Sequence, residues 1–257
     1  MAEEGNYRAP SGRTVTIADL VERSVGGTKS YPPEEAVPET HTGTCQTTIE
    51  IENETTLAAA KGLLDSGHGP VALNFASATH PGGGFLSGAR AQEEYLARCS
   101  GLYACLRENS MYDFHRSRRD PLYTDYAIYS PAVPVFRSDD GTLLDEPYTV
   151  SIITSPAVNA AALDRERHRE IEPAMWSRIL KVLSIGILHG HDSIVLGAWG
   201  CGAFGNDSRK IAKLFQKALA ENFKGAYESV VFAIVDWSPE KRFIDPFQQA
   251  FGEDNER

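Results

Sequence analysis

The run Val-Val-Phe-Ala-Ile-Val at residues 230–235 is the stretch of this sequence that decides the fold. Every position is apolar, so a strand formed here would present apolar side chains on both of its faces. Short apolar runs of this kind alternate along the chain with segments of helical period. The pattern predicts the α/β class, with one sheet between two layers of helices in a three-layer α/β/α arrangement.

The same periodicity locates the other elements. It predicts strands at residues 47–51, 71–75, 148–154, 194–196 and 230–235, helices at residues 17–24, 54–64, 92–106, 171–188 and 208–219, and a closing segment at residues 243–251. Residues 1–44 are rich in Pro, Glu, Thr and Gly and predict an N-terminal extension packed on the core, with Thr14 or Thr16 capping its helix. Residues 45–257 predict one domain, with a two-domain split as the alternative.

The overall charge restricts the possible ligands. The 257 residues include 25 Lys and Arg against 35 Asp and Glu, which gives a net charge of -10. This charge repels the phosphate backbone of a nucleic-acid duplex and provides no counterion release to drive binding, so we expect no direct duplex binding. To bind an anionic ligand, the protein would therefore need a local group of anion-attracting atoms that outweighs the repulsion from its net negative charge.

Cysteine spacing and the chain start bear on the compartment. The four cysteines form no Cys-x-x-Cys pair, and residues 1–4 carry neither a basic nor an apolar leader pattern. Together these features predict a reduced, cytoplasmic protein. The longest apolar runs are far below the roughly 20 residues of a membrane helix, so we expect no membrane partner.

A first glycine-rich loop lies between a predicted buried strand and a predicted helix. It contains Gly82, Gly83 and Gly84, which allow positive φ angles and close approach of the backbone to a ligand. A glycine turn that leads into a helix N-terminus directs free N–H groups and the positive end of the helix dipole at an anion. The alternative to anion binding is that this loop is only a flexible connection between the strand and the helix.

A second loop at residues 197–206 has the same strand-loop-helix setting, and Asn206 or Asp207 is the expected helix cap. Gly200, Gly202 and Gly205 spell the G-x-G-x-x-G pattern of dinucleotide-binding domains. Only 52 residues follow Gly205, too few for the strands and helices that such a domain builds after this turn. The two loops together predict a backbone clamp for a nucleotide diphosphate.

Glu93 and Glu94 stand near the start of the helix that follows the first loop. Adjacent helical residues diverge by about 100°, so we expect one to transfer protons while the other, with Gln92, holds substrate hydroxyls. The alternative is that both acids only complement the helix dipole. Because a dipole lowers a carboxyl pKa, we expect the pKa that governs proton donation to be that of the substrate complex.

Other chemistry-bearing residues give weaker signals. His189 and His191 lie at a helix exit with no third ligand in view, so we expect neither a metal ion nor a cofactor. Arginines at residues 116–119 predict a solvated surface, or alternatively a basic rim for a polyanion. Cys201 has no neighbouring His in sequence and predicts a packing role, whereas Phe204 predicts stacking on a sugar or base.

Two motifs resemble a known family. Gly82-Gly83-Gly84, seven residues and then Gln92-Glu93-Glu94 resemble the catalytic signature of poly(ADP-ribose) glycohydrolases, and residues 197–204 are similar to their diphosphate loop. The resemblance covers about residues 47–236, including segments 133–137 and 152–156 that are similar to the compact microbial type. It implies a macrodomain-like α/β/α fold with a mixed central sheet.

The implied activity is cleavage of the ribose–ribose O-glycosidic bond of poly(ADP-ribose), from chain ends, with release of ADP-ribose. Poly(ADP-ribose), ADP-ribose and ADP-ribosylated proteins are the implied partners. Two alternatives remain open at this point. The chain could be a non-catalytic ADP-ribose-binding macrodomain, or a hydrolase of mono-ADP-ribose attached to a side chain.

The resemblance also implies roles for individual residues. Glu94 would be the general acid/base, Glu93 would bind hydroxyls across the scissile linkage, and Phe204 would pack on the distal ribose. Some members carry Asn where this chain has Ser77, and neither motif fixes the residues that hold adenine. The predicted substrate-binding residues are Gly82, Gly83, Gly84, Gln92, Gly200, Cys201, Gly202, Ala203, Phe204, Gly205 and Asn206.

Overall fold

The apolar run at residues 230–235 forms the strand β9 (Ser229–Ala233), which is buried along its whole length. Val230 and Phe232 pack into one hydrophobic cluster, and Val231 and Ala233 into another on the opposite face. The computed structural model describes residues 5–252; the chain start at residues 1–4, interpreted above as free of a leader, lies outside the described residues.

The other strands and the helices have the following bounds. The strands are β1 (Asn6–Arg8), β2 (Thr14–Thr16), β3 (Lys29–Tyr31), β4 (Thr48–Glu52), β5 (Pro70–Phe75), β6 (Ala127–Arg137), β7 (Leu143–Ser155) and β8 (Ser193–Leu196). The α-helices are α1 (Ala18–Gly27), α2 (Thr56–Asp65), α3 (Gln92–Cys99), α4 (Leu102–Leu106), α5 (Ser110–Arg118), α6 (Ile171–Leu188), α7 (Ser208–Lys217) and α8 (Asp245–Gly252).

Within the described residues the central sheet has seven strands in the order β3-β6-β7-β5-β8-β9-β4. The strands from β7 to β4 pair in parallel, whereas β6 pairs antiparallel with both β7 and β3. Helices α6, α7 and α8 cover one face, and α2 to α5 cover the other. The predicted three-layer α/β/α fold with a mixed sheet is confirmed.

The predicted helix at residues 92–106 is two helices, α3 and α4. The chain leaves helical geometry at Ser100, which forms an antiparallel bridge with Val135, and the Gly101 N–H donates to Pro134 O at 2.8 Å. Because those backbone groups bond to β6, they are lost to a continuous helix. The sequence analysis also missed β6. Its Pro131 and Pro134 interrupt the strand pattern and accompany a register shift between Ser130 and Val133.

The predicted cap of the first helix was wrong. Thr14 and Thr16 are part of strand β2, and α1 begins after Ile17 without a side-chain cap. The N–H groups of Ile17 and Ala18 donate instead to the Gly5 carbonyl, at 2.8 and 3.0 Å. A backbone carbonyl thus replaces the hydroxyl that the pattern indicated.

Residues of the predicted N-terminal extension enter the central sheet. Lys29 pairs with Tyr129 and Tyr31 with Ala127, so β3 is an edge strand of the same sheet that carries the core. The boundary at residue 44 stays a prediction. No helix within residues 5–252 is long and apolar enough to cross a membrane.

Candidate active site

A cleft of about 550 Å³ opens at the carboxyl ends of β5, β8 and β9, where loops from neighbouring parallel strands meet. Its size lies within the range that encloses a small-molecule ligand. The cleft is lined by Glu54, Thr55, Thr56, Phe75, Ser77, Arg90, Ala91, Gln92, Glu93, Glu94, Tyr95, Ala198, Gly200, Gly202, Ala203, Phe204, Ala233, Ile234, Val235 and Phe243.

The first glycine loop wraps around the two glutamates. Gly82 and Gly83 have φ angles of 68° and 61°, the left-handed region that favours glycine. A Cβ at Gly83 would lie 2.2 Å from Oε1 of Glu94 and 3.1 Å from Oε2 of Glu93. Although adjacent helical positions diverge, both long side chains therefore approach the backbone of Gly83. Only glycine leaves room for this arrangement.

Glu94 is held by backbone amides at both carboxylate oxygens. The Gly84 N–H donates to Oε1 and the Ala91 N–H donates to Oε2, each at 2.9 Å. Glu94 is the third residue of α3, so the bond from Ala91 also satisfies an N–H at the start of the helix. The side chain is 9% exposed at the cleft wall, which fixes its carboxylate while leaving access to a ligand.

Glu93 occupies a different environment, only 4% exposed. Ser77 N–H donates to its Oε2 at 2.6 Å, and Asn74 Nδ2 donates to Oε1 at 3.4 Å. Burial raises the pKa of Glu93 to about 8 despite these bonds, which lower it. The carboxyl of Glu93 is therefore largely protonated near neutral pH, and for this residue desolvation outweighs the dipole effect expected from sequence.

The Gln92 side chain joins three elements. Its Oε1 accepts from the Phe75 N–H at 2.9 Å, while its Nε2 donates to Leu73 O at 2.8 Å and to Thr56 Oγ1 at 3.0 Å. These contacts tie the start of α3 to β5 and to the start of α2. The amide is thus engaged within the protein, and the predicted contact of Gln92 with substrate hydroxyls stays a prediction.

The second glycine loop lies across the cleft from α3. Gly200, Gly202, Ala203 and Phe204 line the cleft. Gly200 has a φ of 75°, and a Cβ there would lie 2.5 Å from the Ala157 Cβ, so this position requires glycine. Four of the predicted loop residues thus reach the cavity that the glutamates line.

Three other predicted loop residues lie outside that lining. Asn206 is buried, and its Nδ2 donates to Val158 O at 2.7 Å and Gly200 O at 3.0 Å, which holds the loop closed. Cys201 is buried, and burial raises the pKa of its thiol to about 12, so it is no nucleophile at neutral pH. Gly205 turns the chain with a φ of 68°. Of the two expected helix caps, Asp207 caps α7 by accepting from the Arg209 N–H at 2.8 Å.

Phe204 places a half-buried aromatic ring at the cleft, with its centroid 6.1 Å from that of Tyr123. Sequence reasoning left the far end of the cleft unassigned. Ile234, Val235 and Phe243 belong to the lining there, and Glu54 belongs to it as well. These residues come from the loops after β9 and β4, and no sequence signal distinguished them from core residues.

The histidines singled out in the sequence lie at the opposite end of the sheet. His189 stacks on Tyr129 with ring centroids 3.5 Å apart, and its Nε2 bonds the Tyr31 hydroxyl. His191 uses Nδ1 with Gly69 O and Nε2 with the Tyr129 hydroxyl. These contacts explain both side chains as parts of the packing.

One group of possible metal ligands was not found from sequence. His68, Asp192 and Glu228 precede β5, β8 and β9, and their ligand atoms lie within 4.8 Å of one another. They are partly exposed, and the Nδ1 of His68 is 3.7 Å and 3.6 Å from the carboxylates of Asp192 and Glu228. This group is remote from the cleft, which opens at the other ends of the same strands.

The arginine segment flanks the first loop. Arg116 donates to Thr79 O and to Asp113 Oδ1, each at 2.6 Å, and the Arg118 guanidinium lies 5.2 Å from the Phe114 ring centroid. Arg116 is about half exposed. Through Arg116 the segment therefore contacts and stabilises the first glycine-rich loop. The alternative that it forms a basic rim for a polyanion stays a prediction.

A three-layer α/β/α fold with two glycine loops at the carboxyl edge of a mixed sheet, and a buried glutamate pair between them, defines a macrodomain-like protein equipped for acid–base chemistry on a bound ligand. Comparisons with known proteins support this class and narrow it. Residues 1–138 match the family described as the microbial-type PARG catalytic domain, PARG being poly(ADP-ribose) glycohydrolase. Among curated proteins none matches.

Solved structures agree with the family match. Poly(ADP-ribose) glycohydrolase from Thermomonospora curvata is 49% identical with a TM-score of 0.92, covering 97% of this chain and 95% of that one. The enzyme from Deinococcus radiodurans in complex with ADP-ribose is 41% identical with a TM-score of 0.87, covering 93% of this chain and 99% of that one. The chain belongs to the microbial-type poly(ADP-ribose) glycohydrolase family, which confirms the resemblance seen in its motifs.

Proposed function

We propose that this protein hydrolyses poly(ADP-ribose) at the ribose–ribose O-glycosidic bond and releases ADP-ribose. The observation that carries the proposal is the Glu94 carboxylate, held at the cleft wall by the Gly84 and Ala91 amides beside a glycine loop. A structure of the Thermomonospora curvata enzyme is of a glutamate-to-alanine variant, and another is bound to the inhibitor ADP-HPD. Both agree with a glutamate-dependent reaction at an ADP-ribose site.

The shape of the cleft suggests how ADP-ribose lies in it. The apolar side chains of Ile234, Val235 and Phe243 suit the adenine base, and the Glu54 carboxyl in the same lining can accept a hydrogen bond from the adenine amino group. The second glycine loop then faces the diphosphate, and backbone amides provide the anion contacts that the acidic chain as a whole lacks. The distal ribose reaches Phe204 and the glutamates at the other end.

In this arrangement Glu94 acts first as general acid and then as general base. Its carboxylic acid gives a proton to the departing ribose oxygen while the C–O bond breaks and an oxocarbenium-like centre forms. Its carboxylate then takes a proton from the water that attacks this centre. Glu93, protonated near neutral pH because it is buried, donates a hydrogen bond to a ribose hydroxyl next to the scissile bond.

The test is hydrolysis of purified poly(ADP-ribose) by the wild-type protein and by Glu94→Gln, with the products resolved by size. We expect Glu94→Gln to lower the rate by two to four orders of magnitude, the usual contribution of a general acid, while ADP-ribose binding by calorimetry persists. Retained turnover in this variant would remove Glu94 from the mechanism.

The same assay tests the finer parts of the proposal. The compact microbial type implies cleavage from chain ends, for which ADP-ribose monomer appears from the start; early oligomers would indicate internal cleavage. A parallel assay on mono-ADP-ribosylated protein separates polymer hydrolysis from removal of the protein-linked unit. If the wild type binds ADP-ribose and releases nothing from either substrate, the chain is a non-catalytic reader.

A further inference from the structure

The turn between β6 and β7, at residues 138–142, reaches the wall of the cleft through one side chain. Tyr95 Oη donates to Asp139 Oδ1, and Thr55 Oγ1 donates to Asp139 Oδ2 at 2.8 Å. The two hydroxyl oxygens lie 3.1 Å apart. Asp139, Thr55 and Tyr95, here called the hairpin strap, thus join the β6–β7 turn, the N-cap of α2 and the first turns of α3.

Two members of the hairpin strap line the cleft. Thr55 and Tyr95 belong to its lining, together with Glu54, whereas Asp139 lies outside it and is exposed. Thr55 also caps α2, since its Oγ1 accepts from the Ala58 N–H at 3.2 Å. Asp139 therefore contacts the residues that shape one wall and has no place among those that face the ligand.

The wall formed by α2 and α3 is tied at two levels. Close to the sheet, Gln92 Nε2 bonds Thr56 Oγ1 at 3.0 Å. Nearer to solvent, the hairpin strap makes the second tie. Burial and the bond to Asp139 raise the pKa of the Tyr95 hydroxyl, so it remains a donor throughout the neutral range. Without Asp139, the outer tie would be reduced to the direct bond between Thr55 Oγ1 and Tyr95 Oη, with no third group to hold the two hydroxyls in place.

We propose that Asp139 is a positioning residue that sets the width of the cleft at its Glu54 end and so the affinity for the adenosine part of the substrate. The inference rests on the proposed function for the identity of that substrate. It assigns Asp139 no part in bond cleavage, because Glu94 is held by the Gly84 and Ala91 amides, which are not members of the hairpin strap.

The neighbouring Asp140 provides a matched control. Asp140→Ala removes the same charge from the same turn. The Oδ1 of Asp140, however, accepts hydrogen bonds within the turn, from Ser138 Oγ at 2.6 Å and from the Thr142 N–H at 2.8 Å. Asp139→Ala and Asp140→Ala therefore differ in whether the tie to Thr55 and Tyr95 is lost. Asp139→Asn keeps one acceptor oxygen and serves as the conservative variant.

The experiment measures the Kd of ADP-ribose by calorimetry, and KM and kcat on poly(ADP-ribose), for the wild type and the three variants, with Tm as the check on folding. We expect Asp139→Ala to raise Kd and KM about three- to tenfold, the range for one or two lost hydrogen bonds, with kcat within about twofold. Asp139→Asn should fall between Asp139→Ala and the wild type, and Asp140→Ala should keep the wild-type Kd.

Equal Kd values in Asp139→Ala and the wild type would overturn the inference, as would the same loss of affinity in both alanine variants. A fall in kcat at unchanged KM would also overturn it. The Kd comparison is independent of catalysis, so it decides the role of Asp139 even if the wild type fails to hydrolyse the polymer. That failure would count against the proposed function alone.

Discussion

At the scale of single residues, two adjacent glutamates acquire different properties from their surroundings. Glu94 lies against two backbone amides at the cleft wall, whereas Glu93 is enclosed and its pKa is raised to about 8 by burial. These environments support the proposal that Glu94 transfers protons and Glu93 donates a hydrogen bond. Separate environments for neighbouring carboxyls are a common way to divide acid–base roles.

The raised pKa of Glu93 predicts a pH dependence of stability. Between about pH 4.5 and pH 8 the folded state keeps a proton that the unfolded state has lost, so the free energy of unfolding falls as pH rises through this window. The isosteric Glu93→Gln variant has no ionisable group at this position, so it lacks this contribution to the pH dependence of stability. From pH 5 to pH 8.5 we expect the wild type to lose on the order of a few kcal/mol more stability than Glu93→Gln in urea unfolding. Parallel losses in the two proteins would contradict the assignment.

At the scale of elements, each glycine loop connects a buried parallel strand to a helix, but only the glycines of the second loop line the cleft, whereas those of the first contact the glutamates. The first loop has its tightest point at Gly83, where the backbone conformation and the approach of Glu94 both require glycine. Gly88, in the same loop, also has a positive φ of 89°, but its missing Cβ would meet nothing within 4 Å. A comparison of Gly83 with Gly88 therefore distinguishes the effect of backbone strain from the effect of contact with Glu94.

Gly83→Ala and Gly88→Ala test this difference. Both variants must place alanine in the left-handed region, which costs roughly 1–2 kcal/mol of stability. Only Gly83→Ala also displaces Glu94, so we expect it to lose at least about 100-fold in kcat on poly(ADP-ribose), the lower end for a general acid, while Gly88→Ala stays within a few-fold. Similar activities in the two variants would show that the close approach of Gly83 to Glu94 is unimportant.

At the scale of the whole molecule, the N-terminal residues pack into the same body as the catalytic machinery. Tyr31 is buried, β3 completes the sheet edge beside β6, and Lys181 Nζ donates to Pro32 O at 2.7 Å. We propose that residues 45–257 contain the catalytic residues and that residues 1–44 supply stability. Their removal would expose the edge of β6.

This proposal predicts one cooperative unfolding transition for the full chain. We expect the urea transitions followed by tryptophan fluorescence, which reports on Trp176, Trp199 and Trp237, and by far-ultraviolet circular dichroism to coincide. A chain of residues 45–257 should have a Tm lower by at least about 10 °C, because it loses the burial of Tyr31 and the pairing of β3. An unchanged Tm would show that residues 1–44 are a dispensable appendage.

The sequence located only some of the strands of the sheet, for identifiable reasons. β5, β8 and β9 are mostly apolar runs and were located to within two residues at each end. β6 contains two prolines, and β3 is a three-residue edge strand, so neither has a periodic pattern. Both strands form because a neighbouring strand pairs with them through hydrogen bonds. The local sequence does not show which segments become neighbours.

The sequence by itself determined the fold class, the two glycine loops and the identity of the glutamate pair, because these depend on local patterns of apolar residues, glycines and acids. Only the tertiary structure decided that Glu93 is the more buried carboxyl, that Cys201 and Asn206 lie outside the cleft lining, and that Ile234, Val235 and Phe243 belong to it. Burial depends on which distant segments pack around a side chain, and Asp139 meets Thr55 and Tyr95 only after the sheet has brought them together.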